Sequence, residues 1–292
     1  MSDDLRVPQG KILYKNKFQE FFTNLYAQAR GKRYFDSKRE HLILTVTHSL
    51  NCVLIYLAFG RSDISFLAAI LFALNPANNQ AAVWLSGWAY SMAATCVLLM
   101  VLFKPLSFIF YFTSIQFFTL SGILSPLLFI KFPEYWFWIF LLPLVVLVKR
   151  SHTLEAIKIR SQTASPRMRE IHLKKLILVI KTFAYYFVFC LFPIKIGLYH
   201  TFMYTYGLTK EDSDTWLKLD RQFWLSLVLC VVYLITLIVN WSNGIGFGLF
   251  WYALFIGMWC NLITIQQAIA ERYVYLANIG LMYAVAWGLC VI

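Results

Sequence analysis

Charge is what this sequence has least of. Only 14% of its residues are charged, where soluble domains carry about 25%, and a chain of 292 residues cannot supply a core large enough to hide the difference. A soluble globular protein is thereby excluded. Acidic residues are scarcer still: 14 Asp and Glu stand against 26 Lys and Arg. The six cysteines (Cys52, Cys96, Cys190, Cys230, Cys260, Cys290) all fall in apolar segments. None forms a C-x-x-C pair or a His/Cys ligand spacing, so neither a zinc framework nor a disulfide framework is indicated. No phosphate-cradling glycine-lysine loop, G-x-G-x-x-G turn, H-E-x-x-H helix or G-x-S-x-G elbow occurs. Repeats at a 20–50-residue period are missing as well. The first 40 residues are polar and basic with no apolar h-region, so no cleavable signal peptide is expected.

What remains is apolar: 60% hydrophobic and 18% aromatic residues, with mean hydropathy +0.64. A bilayer core takes about 20 apolar residues per helix, so the length accommodates about eight spans. The sequence therefore predicts an all-α, polytopic membrane helix bundle preceded by a basic amphipathic arm over residues 1–40. The net charge of +12 sits in two clusters. Residues 1–40 hold nine Lys and Arg against five acids, and the loop 149–175 holds eight against two. Neither contains a recognisable nucleic-acid-binding module; both suit anionic lipid headgroups. The positive-inside rule places loop 149–175 on the cytoplasmic or matrix side of a bacterial inner membrane or an organelle membrane. In the arm, Phe18, Phe21, Phe22, Leu25 and Tyr26 alternate with basic residues, as in an interfacial helix or one packed on its own bundle.

The expected spans are 41–59, 81–103, two crossings with an irregular connection within 106–148, then 176–199 (bent near Pro193), 223–239, 245–265 and 273–292. Segment 64–74 is short for a crossing. Loop 201–222 is the one acidic stretch, with Glu211, Asp212, Asp214 and Asp220. Counting passes from loop 149–175 puts the acidic loop, the 75–80 break and Glu271-Arg272 on one outer side. The same count puts the basic arm outside, against the charge rule, as for a re-entrant element or a chain lacking a first helix.

The organising stretch is Asn75-Pro76-Ala77-Asn78-Asn79-Gln80, a proline and four carboxamides between two apolar runs. Irregular polar backbone survives at membrane depth only where protein or water covers it, which makes the break a candidate site. Amides there also act as glue between helices. Glu271-Arg272 is the other candidate. His41 and His48 lie seven residues apart on one helical face and would need further ligands to hold a metal. His200 ends a span beside Tyr199, as an interfacial residue. The aromatic clusters Tyr135-Trp136-Phe137-Trp138, Tyr185-Tyr186 and Trp251-Tyr252 suit interface anchoring and packing.

Four segments in order resemble the polytopic half of the transmembrane-and-TPR (TMTC-type) protein O-mannosyltransferases and their bacterial relatives. His41-Leu42 through His48-Ser49-Leu50-Asn51 is similar to that family's histidine-containing helix. Leu71-Phe72-Ala73-Leu74-Asn75-Pro76 with Ala82-Val83-Trp84 and Ser86-Gly87 resembles its LFALHP stretch. Phe192-Pro193 with Leu198-Tyr199 resembles a third element. Ala270-Glu271-Arg272-Tyr273-Val274-Tyr275-Leu276-Ala277-Asn278-Ile279-Gly280 resembles its AERYLYLPSIG signature. The resemblance spans roughly residues 40–292. It implies a GT-C-like bundle, a polyprenyl-phosphate sugar donor with or without a divalent metal, Arg272 at the donor phosphate and Glu271 orienting it.

The departures from the family fall on its chemistry. Its His, His and Glu at the break correspond to Asn75, Asn78 and Gln80. Its Gly-Arg-x-Asp correspond to Gly87, Trp88 and Tyr90, and its Ser-Lys-Glu turn to Ser121-Gly122. The acid expected to act as general base has only Asp3 and Asp4 as counterparts, with no helix ahead of them, and no later spans or TPR array follow Ile292. Amides keep hydrogen bonds but neither exchange protons nor carry charge, so these replacements preserve shape and remove chemistry. The expectation is a non-catalytic GT-C-derived subunit of a larger membrane complex, trimmed at both ends, without cofactor. In it Glu271-Arg272 is an ion pair holding two helix ends. The alternative is an active glycosyltransferase using Asp3 or Asp4 as base and Arg272 for phosphate. A channel or secondary transporter ranks third, since no inverted repeat is visible.

Overall fold

The computed structural model describes residues 37–83, 87–117, 123–140, 175–193, 217–262 and 269–291, with the side chains of 37–40, 116, 117 and 140 excepted. The arm up to residue 36 (with Asp3 and Asp4), nearly all of loop 149–175, the acidic loop up to 216, Ser121-Gly122 and His200 lie outside them. Every regular element among the described residues is helical. Helix α1 runs Ser37–Ala58, α2 Asp63–Leu74, α3 Asn79–Val83, α4 Trp88–Leu102, α5 Ser107–Phe117, α6 Lys175–Leu191, α7 Arg221–Val239, α8 Gly244–Gly257 and α9 Tyr275–Val291.

Four helical segments are long and apolar enough to cross a membrane: His41–Ala58, Arg221–Val239, Gly244–Leu262 and Glu271–Val291. The protein is accordingly an integral membrane protein. The pair Pro76–Val83 and Trp88–Leu102 makes a fifth candidate, bent by 105°. The straight span expected over 81–103 is therefore replaced by a break at its start. Within 106–148, where two crossings joined by an irregular connection are expected, residues 125–140 form two short 3-10 segments, Ser125–Lys131 and Pro133–Phe140. Pro126 and Pro133 lack the N–H groups that a continuous α-helix would need there. Helix α6 ends at Leu191, two residues before Pro193, because the residue before a proline is driven out of the α region. The rest of the expected span 176–199 lies outside the described residues.

Among the described residues many large apolar side chains are exposed. In α1, Leu44, Thr47, Asn51, Leu54 and Ile55 form a buried stripe at helical spacing, while Leu42, Ile43, Val46, Leu50 and Val53 face outward. Helix α7 buries only Phe223, Ser226 and Tyr233. Such outward faces are compatible with lipid and not with water. Helix α9 is the hub, packing chiefly on α8 and also on α2 and α4. Small residues bring α8 and α9 together. A Cβ on Gly248 would stand 2.4 Å from the Gly280 carbonyl oxygen, and one on Gly280 would stand 2.5 Å from the Trp251 Cβ. This is close backbone approach of the kind that drives helix association in lipid.

Local signals set the helix ends. Gly60 at φ +102° and Arg61 at φ 56° turn the chain after α1. Ser62 then opens α2 with a reciprocal capping box to Ser65. Asp220 and Asn243 cap α7 and α8 through their side-chain oxygens.

Candidate functional site

Helix α2 has 12 residues, about 18 Å at 1.5 Å per residue, against a hydrocarbon core of about 30 Å. It therefore ends short of a full crossing, with terminal carbonyls that need partners. The break supplies them. Asn78 Nδ2 donates to the Phe72 carbonyl at 2.7 Å, and the Asn75 backbone N–H reaches the same oxygen at 3.4 Å. Asn75 Oδ1 accepts from the Ala77 N–H at 2.9 Å and opens the 3-10 turn Pro76–Asn78. Its Nδ2 donates to the Cys190 carbonyl at 2.8 Å, in the last turn of α6. Asn78 Oδ1 accepts from Asn278 Nδ2 on α9 at 3.0 Å. Gln80 Oε1 accepts the Arg272 N–H at 3.2 Å, at the start of the 3-10 turn Glu271–Val274.

The structure thus brings Asn75, Asn78, Gln80 and Glu271-Arg272 to one junction, where four helix ends meet. Gly87 closes it: a Cβ there would stand 2.3 Å from the Gln80 carbonyl oxygen. Glu271 is buried, 1% exposed. Arg272 lies over the Tyr273 ring, 5.3 Å from its centroid, and hydrogen-bonds Tyr90. Tyr273 stacks on Trp259 at 4.1 Å.

A second polar seam adjoins the first. His48 Nδ1 lies 2.8 Å from the Tyr275 hydroxyl. Asn51 Nδ2 donates to that hydroxyl at 3.1 Å and to the Ser91 carbonyl at 3.0 Å, and Asn51 Oδ1 accepts from Thr95 at 2.7 Å. His48 is therefore a link between α1 and α9. His41 is exposed, and among the described residues no three His, Cys, Asp or Glu side chains converge as a metal-ligand set.

Sequence reasoning missed two residues. Lys181 sits within α6 with its side chain fully buried, and its Nζ is 2.8 Å from Asp220 Oδ1. The same oxygen accepts the Phe223 N–H at 2.9 Å, so one carboxylate caps α7 and neutralises a buried cation. The hydrogen bond from Lys181 holds the Asp220 carboxyl below its usual range. Beside them Asn261, at φ 61° in the turn Met258–Leu262, donates to Thr182 at 3.2 Å. The available signal was a lone lysine inside an apolar run, which marks a paired group in a membrane. The other is Asn278, a lone amide in an apolar helix.

Every hydrogen bond described for Asn75, Asn78 and Gln80 goes to a helix end or to a neighbouring side chain. The chain matches no protein-family model, no curated protein and no solved structure.

Proposed function

We propose that this protein is a non-catalytic, GT-C-derived integral membrane protein that serves as a structural or assembly subunit of a larger membrane complex. The observation that carries the reading is the use of the break's amides. Asn75, Asn78 and Gln80 tie α2, α6, the Glu271 turn and α9 to one another. Groups that neither ionise nor transfer protons at neutral pH are suited to holding helix ends and unsuited to acid–base work. Arm 1–40 and loop 149–175 offer basic surfaces to anionic lipid headgroups and to partner subunits. No cofactor is required.

The second reading is a polyprenyl-phosphate-sugar-dependent glycosyltransferase of the protein O-mannosyltransferase kind. It draws on one feature, the buried Glu271 next to Arg272 with its aromatic surround. In that reading Arg272 binds donor phosphate and Asp3 or Asp4 acts as base.

The deciding experiment is the native mass after mild detergent extraction, with co-purifying chains identified. A particle far heavier than the 34.1 kDa chain and its micelle, with stoichiometric partners, supports the subunit. A lone monomer carrying a polyprenyl phosphate overturns it. Glu271→Gln and Arg272→Ala sharpen the choice: detachment from partners favours the subunit, and loss of a glycan from an intact fold favours the enzyme.

A further inference from the structure

Among the described residues of the membrane-spanning helices, Asn51 and Asn278 are 0% exposed, and they are satisfied to different degrees. Asn51 on α1 uses both ends of its amide, donating to Ser91 and Tyr275 and accepting from Thr95. Asn278 on α9 uses one. Its Nδ2 donates to Asn78 Oδ1 at 3.0 Å, while its Oδ1, in a residue 0% exposed, has no donor among the described residues.

The orientation of that oxygen is set by a chain of bonds that begins at the end of α2. The Phe72 carbonyl can only accept, so Asn78 must present its NH2 group there at 2.7 Å. Asn78 Oδ1 is thereby turned toward Asn278, which must answer with its own NH2 group. Flipping either amide would press two acceptor oxygens together at hydrogen-bond distance. Asn278 Oδ1 is therefore pinned as an acceptor beside the interrupted end of α2. Tyr252, whose hydroxyl is also buried without a partner, offers no comparable constraint because its O–H rotates.

We propose that Asn278 Oδ1 is a binding site for a small neutral hydrogen-bond donor, an internal water held at the broken end of α2. The chemistry selects this class. A lone neutral acceptor matches a neutral donor, whereas a calcium-like ion takes about six or more oxygens. Irregular backbone at membrane depth is tolerated where water or protein covers it, and here both would contribute. Buried water of this kind forms part of a structure and bonds groups that protein donors do not reach.

The test compares the two asparagines within one sample. The full chain, 15N-labelled at asparagine and reconstituted in lipid, is studied by water-edited solid-state NMR. Asn278→Gln and Asn51→Gln serve to assign the two side-chain signals. Polarisation from water is expected to reach the Asn278 amide several-fold faster than the Asn51 amide, although both are fully buried. Equal build-up at the two amides would overturn the proposal. An electron cryomicroscopy map that resolves ordered waters gives a second, independent reading. A peak about 2.7–3.2 Å from Asn278 Oδ1 agrees with the site. A protein donor at that position, apolar atoms packed against it, or a cation ringed by oxygens contradicts it.

Discussion

The bundle buries polar groups at two junctions and removes their desolvation penalty by different means. At the α2–α9 junction the groups are neutral amides, each bonded to helix ends or to another amide. At the α6–α7 junction a fully buried ammonium meets one carboxylate that is 34% exposed. Neutral amides divide the task among many weak bonds, so that no single loss leaves a charge in lipid. The ion pair brings a full charge into the bundle, and losing the carboxylate leaves that cation buried without its counter-charge. The amides of the first do not titrate, whereas the second depends on an ionised carboxylate.

Asp220→Asn gives the largest expected effect. Breaking a buried pair costs about 3–5 kcal/mol; partial exposure of Asp220 lowers this to about 2–4 kcal/mol. Unfolding of the reconstituted protein in denaturing detergent measures it. Lys181→Met in the Asp220→Asn background should recover most of the loss, since an apolar residue of similar length leaves no charge behind. Failure to recover would show that Lys181 has a further role.

Acid should act on the same junction. The Asp220 carboxyl is held below its ordinary value, so its contribution is fully present above about pH 4 and is lost as pH falls through the depressed value. Below pH 4, wild-type stability should therefore fall more steeply than that of Asp220→Asn. The amides of the other junction do not titrate. A similar slope in both proteins would move the acid sensitivity elsewhere.

Asn78→Leu removes two bonds, leaving Asn278 Nδ2 without this partner and the Phe72 carbonyl with the longer Asn75 N–H contact. About 1–2 kcal/mol is expected, because single interhelical hydrogen bonds in membranes average about 0.6 kcal/mol. The loss should be the same at pH 7 and in acid. Gln80→Ala is the mildest, about 0.5 kcal/mol, through the Arg272 N–H alone.

The parts legible in the sequence were those written in local chemistry. Asn75-Pro76 reads as an interruption because proline and clustered carboxamides do not continue an apolar helix, and α2 ends there. Four of the expected spans, at 41–59, 223–239, 245–265 and 273–292, coincide with helices long enough to cross. The 105° bend was not legible, and of residues 125–140 an irregular connection could be expected but not its 3-10 form. Hydropathy marks a segment as apolar but carries no information on its direction. The site was half legible: Asn75, Asn78, Gln80, Glu271 and Arg272 could be named, but their mutual bonds could not.

By itself the sequence determined that this is a membrane protein, all-helical in class, broken at 75–80 and short of charge, because composition and periodicity act over one or two turns. Only the tertiary structure decided which polar groups meet. Asn78 and Asn278 are 200 positions apart, and Gln80 and Arg272 are 192. Lys181 finds Asp220 across two helices. In a medium that offers no hydrogen bonds, each buried polar group must find its partner wherever packing brings one, and packing is a property of the whole chain.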